Sequence, residues 1–355
     1  MKFKHWLAVF LITLACMECP IPCQSQPATS AKPAKAYEGA NKTLVPSAGW
    51  SCGMAEGIPV PELGVKVFEV TMKLDGVHRI GRTLYGDRVA YVLQTGTITG
   101  EKVSGTIVSG GLDFELNLTN GTTEVEQIFV LRLNDNRYVY LRSAGVGADA
   151  RDIRMVPVFA APNAGGFGWL NTGKFVGRRV VDEAAKTMKL VVFDVSAVAI
   201  AKTNLLTITK PANVPEQPWD YRRATPDEKR GDMLITENVT LAGSQSVGAT
   251  PRGNWNIIPI TGGTLTGKIE GKVLSGGADY QNLAGPATID ARYLWQTSEG
   301  EVIIVRNAGP FSSLCPTFEV RLDSKYAYLN QGKYLSSGPS MGTGGVKLSF
   351  YDSVK

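Results

Sequence analysis

Asp290 and Arg292 lie two apart in the run Asp290-Ala291-Arg292-Tyr293, which reads as a strand. Residues two apart in a strand share a face, so a carboxylate and a guanidinium point the same way. Asp279 closes a second such run, just after Gly276-Gly277. If Asp279 joins the same face, the interior of a barrel holds an acid–base-capable cluster. Its guanidinium could donate hydrogen bonds to a substrate carbonyl. The same residues equally suit a buried ion pair that closes the barrel and caps turn amides. Trp255, Trp295, Tyr326, Tyr328, Trp169 and Tyr91 are candidate walls of an apolar substrate pocket, and equally candidate core residues. On a regular strand Tyr280 points away from Asp279, so the two cannot line one pocket.

Other chemistries are excluded. The chain has 2 His, of which His5 falls in a leader and only His78 remains. A His-rich zinc site is therefore ruled out, and Ser-His-Asp catalysis would rest on His78 alone. Gly338-Pro339-Ser340-Met341-Gly342 matches a nucleophile-elbow spacing, but no His follows Ser340. No metal or nucleotide cofactor is expected. With 37 Lys and Arg against 32 Asp and Glu the net charge is +5 and no basic run carries interleaved aromatics, so nucleic acid is not an expected partner.

These residues sit in a duplicated frame. Ser109-Gly110-Gly111-x-Asp113-Phe114 returns as Ser275-Gly276-Gly277-x-Asp279-Tyr280. Arg142-Ser143-Ala144-Gly145 returns as Arg306-Asn307-Ala308-Gly309. Leu170-Asn171 returns as Leu329-Asn330, Phe175 as Tyr334, and Phe193-Asp194 as Tyr351-Asp352. The order is collinear. The runs are short, β-branched or aromatic, and bounded by turn residues such as Ser298-Glu299-Gly300 and Asn134-Asp135-Asn136. Only residues 182–189 look helical. The expected fold is all-β: two tandem small antiparallel β-barrel domains, over residues 61–200 and 233–355. A Pro-rich linker spans 201–232, and a polar arm spans 26–60. Glycine in excess, 39 residues beside 19 Pro, fits many tight turns.

Residues 1–25 read as a cleaved secretory signal peptide, with Lys2 and Lys4 before an apolar core that ends at Cys16. The rival reading, a lipoprotein acylated at Cys16, wants Leu where Thr13 stands. No later segment is apolar for long enough to span a membrane as a helix. Secretion, or the lumen of an endomembrane compartment, is the expected localisation. Cys52 and Cys315 would then remain to form one disulfide or two separate thiols. Asn41, Asn117, Asn120 and Asn238 head glycosylation sequons.

The second copy resembles the domain of unknown function 3237 family. The resemblance rests on Gly253-Asn254-Trp255-Asn256, Gly262-Gly263, Gly276-Gly277-Ala278-Asp279-Tyr280, Asp290-Ala291-Arg292-Tyr293, Asn307-Ala308-Gly309 and Tyr328-Leu329-Asn330. It covers nearly all of residues 233–355 and implies a small antiparallel β-barrel with no defined activity. The first copy is a diverged version, in which Asp-x-Arg has become Glu126-Gln127-Ile128. A looser architectural likeness is to the secreted-type pericyclases of fungal natural-product pathways, including hetero-Diels–Alderases.

Three functions fit. The first is a cofactor-free cyclase or pericyclase acting on an apolar natural-product intermediate, including an intermolecular hetero-Diels–Alder coupling. Asp279, Asp290 and Arg292 would be its catalytic residues. The second is a small-molecule binding protein without turnover, and the third is a structural tandem module. Oligomeric state is open, although the duplication could replace a homodimer of single-barrel ancestors.

Overall fold

Alternation of apolar and polar residues gives each strand one face for a lumen and one for the outside. A computed structural model describes residues 57–148, 152–206, 208–342 and 344–355. The first sheet has nine antiparallel strands: Val65–Arg82, Asp87–Thr99, Gly105–Ile107, Gly111–Asn117, Thr123–Leu133, Tyr138–Gly147, Ile153–Ala160, Phe175–Asp182 and Thr187–Asp194. Val65–Arg82 pairs with both Asp87–Thr99 and Thr187–Asp194, which closes the sheet into a barrel. Phe68, Met72, Leu93, Phe129, Met155 and Phe175 fill its lumen.

The second sheet repeats the plan with eleven strands, from Lys229–Leu241 to Gly345–Val354. Its terminal strands, Cys315–Glu319 and Tyr334–Ser336, meet through a hydrogen bond from Ser336 N to Leu314 O at 2.9 Å. Trp295, Tyr293, Phe318, Tyr334 and Phe350 fill this barrel. The expected turns are present, with Asn136 at φ 65° and Gly300 at φ 90°. The helical reading of residues 182–189 does not hold. That segment is the turn of a hairpin, with Lys186 at φ 52°, where its polar residues are solvated rather than helical.

The outer faces of the barrels pack on each other. Ala90, Val92, Leu112, Phe114, Ile128 and Tyr140 of the first meet Ile257, Ala278, Tyr280, Leu294 and Ile304 of the second. A Cβ on Gly110 would come 3.1 Å from Pro259 Cβ, and one on Gly276 would come 2.5 Å from Val92 Cγ1. Gly110 and Gly276 are repeat equivalents. So are Val92 and Pro259, which sit opposite Leu112 and Ala278 in the two ladders. The contact is therefore reciprocal, as in a two-fold dimer. The glycine pair permits close packing of barrels. The chain between the sheets, around residues 217–221, crosses this same junction.

Candidate functional site

One cluster at the junction gathers five charged side chains, four of them buried and Asp290 partly so. Glu126 and Arg142 come from the first barrel; Asp290, Arg292 and Arg306 come from the second. Glu126 and Asp290 are repeat equivalents, and so are Arg142 and Arg306. Arg142 Nε donates to Glu126 Oε1 at 2.8 Å. Arg306 Nε and Nη2 donate to Asp290 at 2.8 and 2.7 Å. Arg292 bridges the two barrels, donating to Asp290 Oδ1 at 2.8 Å and to Glu126 Oε1 at 3.3 Å. Arg142 and Arg306 both donate to Trp219 O, at 2.9 and 3.0 Å, and Arg142 stacks 3.7 Å over the Trp219 ring.

Burial alone would raise the Glu126 carboxyl, but Arg142, Arg292 and Arg306 outweigh it and bring it down to about 2. Asp290 behaves alike: burial opposes ionisation, and Arg292 and Arg306 hold the carboxyl well below the usual range. Three guanidiniums thus face two carboxylates, and the cluster keeps one net positive charge in a poorly solvated place.

Two niches flank this cluster. The larger, about 410 Å³, is lined by Tyr140, Trp255, Tyr280, Tyr221, Asp290 and Arg306, among others. Tyr140 stacks on Trp255 with ring centroids 4.7 Å apart and on Tyr280 at 5.4 Å. Among the described residues the buried Trp255 Nε1 has no hydrogen-bond partner. The smaller niche, about 140 Å³, includes Phe114, Ile304 and Arg88. The ladders make these the equivalents of Tyr280, Tyr140 and Trp255. Arg88 fills that side, donating to Glu319 at 2.9 Å and to Gln217 at 2.8 Å. One niche is therefore open and aromatic, and its mirror is occupied by an arginine.

The sequence-predicted site residues divide. Asp290 and Arg292 share a face, as their spacing requires, but that face is the junction rather than a lumen. Asp279 pairs with Ala291 and lines the lumen of the second barrel, so it does not join them. Trp255 lines the open niche. Trp295 is fully buried in the second barrel and donates to Glu237 at 2.9 Å. Tyr326 is buried in that core, while Tyr328 is 48% exposed, because residues 327–330 form a 3-10 turn rather than a strand. Trp169 packs on Phe175 at one end of the first barrel. Tyr91 donates to Glu183 at 2.9 Å and takes part in the ionic network of the first lumen.

Cys315 is buried, and its proposed partner Cys52 lies outside the described residues, as do Asn41 and the leader. Asn117 and Asn238 are partly buried in strands, and exposed Asn120 donates to Thr209 O at 2.7 Å. The sequence reading missed Glu126, Arg142, Arg306, Tyr140 and Tyr280 as site residues. Arg142 and Arg306 had been visible only as repeat landmarks.

The fold and junction define a class: a tandem pair of antiparallel β-barrels joined through an ionic, aromatic interface. Residues 64–198 and 231–313 match the family described as "Protein of unknown function (DUF3237)", and the chain belongs to that family. A "UPF0311 protein" of Bradyrhizobium diazoefficiens is 42% identical over 78 residues, covering 21% of this chain and 51% of that protein. The chain spans about half the length of the curated relatives it matches. The crystal structure of a conserved protein of unknown function from Rhodopseudomonas palustris is 23% identical with a TM-score of 0.33, covering 37% of this chain and 95% of that one. An enzyme from Penicillium herquei is 12% identical with a TM-score of 0.31, covering 38% and 95% respectively.

Proposed function

We propose that the protein is a cofactor-free cyclase of the pericyclase type, acting in the open niche on a largely apolar small molecule that carries a carbonyl oxygen. The observation that carries this reading is the aromatic niche of about 410 Å³ beside a cluster of net positive charge. That volume lies in the range of small-molecule sites. The Tyr140, Trp255 and Tyr280 rings suit planar π-systems and would hold two reacting ends together, which supplies an entropic advantage. The guanidiniums are already engaged by carboxylates and Trp219, so Arg292 and Arg306 would act through their field. Direct donors to the carbonyl would be Trp255 Nε1–H and the two phenols. Glu126 and Asp290 are ion-paired, so neither is free to act as a base, and a ring closure that moves no proton needs none. An intermolecular hetero-Diels–Alder coupling meets these conditions.

The test is native mass spectrometry of the protein incubated with an extract of its producing organism. Retained compounds are then incubated with fresh protein in the presence of a chelator. The expected result is a retained ligand that Trp255→Ala loses, together with formation of a new ring. A retained mass equal to two precursors combined would identify coupling. A ligand retained and returned unchanged would make the protein a binder and overturn the cyclase reading.

A further inference from the structure

Inside each barrel the repeat places one aspartate at the same ladder position: Asp113 opposite Gln127, and Asp279 opposite Ala291. In the first barrel the carboxylate is matched from within. Arg179 Nε and Nη2 donate to Asp113 at 2.9 and 2.7 Å, and Gln127 Nε2 donates at 2.8 Å. In the second barrel Phe175 corresponds to Tyr334, so the place of Arg179 falls at Gly338, after the strand has ended at Ser336. No guanidinium of the described residues lines that place. Asp279 makes no hydrogen bond or ion pair among the described residues, and burial pushes its carboxyl up to about 7.

Asp279 lines a cavity of about 20 Å³ with Glu237, Tyr293 and Asn307. Glu237 accepts from Tyr293 Oη at 2.7 Å and from Trp295 Nε1 at 2.9 Å, one bond on each oxygen, and a bound cation would displace the proton its carboxyl otherwise holds, which leaves acceptor capacity on both. Asn307 is 1% exposed, and its Oδ1 has no partner among the described residues. Ser336 fixes the orientation of that amide. Its hydroxyl donates to Ser337 O at 2.8 Å and therefore accepts from Asn307 Nδ2 at 3.2 Å, which leaves Oδ1 as the unmatched acceptor.

Three acceptor groups thus converge on a space the size of one small polar group. An alkylammonium presents the complement, with three N–H donors, no acceptor and one positive charge. Leu314, Pro339, Val346 and Leu348 also line the cavity and supply apolar surface for a methylene chain. We propose that the second barrel binds the ammonium head of a primary alkylamine through Asp279, Glu237 and Asn307, in the place that Arg179 fills from within in the first barrel.

The test is calorimetric titration of the full chain with n-butylammonium chloride, against n-butanol at matched ionic strength. One site per chain is expected, with the alcohol at least tenfold weaker. Asp279→Asn should weaken the amine at least tenfold while the circular dichroism spectrum and melting profile remain native. Glu237→Gln serves as the second variant where Asp279→Asn does not fold. Trp255→Ala, in the niche between the barrels, should leave amine binding intact, so this site and the proposed reaction site stand or fall separately. No binding at millimolar amine, equal binding of butanol, or binding that survives both carboxylate variants would each overturn the proposal.

Discussion

Glu237 and Glu126 are both buried glutamates, yet they titrate in opposite directions. Burial without a cation pushes Glu237 up to about 8, whereas Arg142 and its neighbours, against the penalty of burial, bring Glu126 down to about 2. In the unfolded chain both carboxyls ionise near 4.5. Between about pH 5 and 8 the folded state keeps a proton on Glu237 that the unfolded state has released, so stability falls as pH rises. Glu237→Gln should gain on the wild type in urea midpoint across that window, and parallel curves would show that Glu237 holds no proton. Glu126 contributes stability that is present above its unfolded pKa and lost as pH falls toward 2. Removing one partner of such a buried pair costs roughly 3–5 kcal/mol. Glu126→Gln should therefore be strongly destabilised at pH 7, with a smaller deficit at pH 2.5. Glu237 was legible in principle, since Ile235, Glu237 and Val239 alternate onto one face of Lys229–Leu241. A lone carboxylate in the inward phase of an apolar strand is the signal.

At the scale of elements, the duplicated Leu-Asn motif has a structural task. Asn171 Oδ1 accepts from Ala161 N at 2.8 Å, and its Nδ2 donates to Ala161 O at 3.0 Å. Asn330 makes the same pair of bonds to Val320, at 2.8 and 2.9 Å. Each asparagine ties a short helical turn to the end of a strand. Asn330→Ala would leave a buried N–H and C=O unmatched, at about 1–3 kcal/mol for each. A melting temperature lowered by several degrees is expected, with Asn330→Asp in between because it keeps the acceptor. An unchanged melt would deny the clamp its role.

The strands, the turns and the duplication were readable because alternation and glycine spacing are local properties. The faces of Asp279 and Arg292 follow from pairing between distant strands. Their separation into lumen and junction is a matter of ladder register, which composition does not carry. The helical misreading of residues 182–189 has the opposite cause: a charged turn between β-rich strands locally resembles a short helix.

For the whole molecule, the two barrels should melt as one unit through their shared glycine contact. Gly110 lies at φ 103°, and a Cβ there would approach Gly277 O to 2.8 Å. Gly110→Val is expected to part the barrels and split the calorimetric transition in two. Gly121→Val is the control for backbone strain alone, because Gly121 lies at φ 85° with nothing within 4 Å of its would-be Cβ. A single, unshifted transition in Gly110→Val would show that the barrels do not depend on this contact.

The reciprocal junction has a further consequence. Two identical subunits meeting this way would present every residue twice, with four guanidiniums against two carboxylates and two identical niches. A single polypeptide escapes that obligation. Ile128 stands where the first copy would carry a second Arg292, and Arg88 stands where it would carry a second Trp255. Covalent linkage therefore lets one half specialise as a plug while the other stays open. A niche ligand should saturate at one equivalent per pair of barrels, half of what a symmetric dimer with two identical niches would bind.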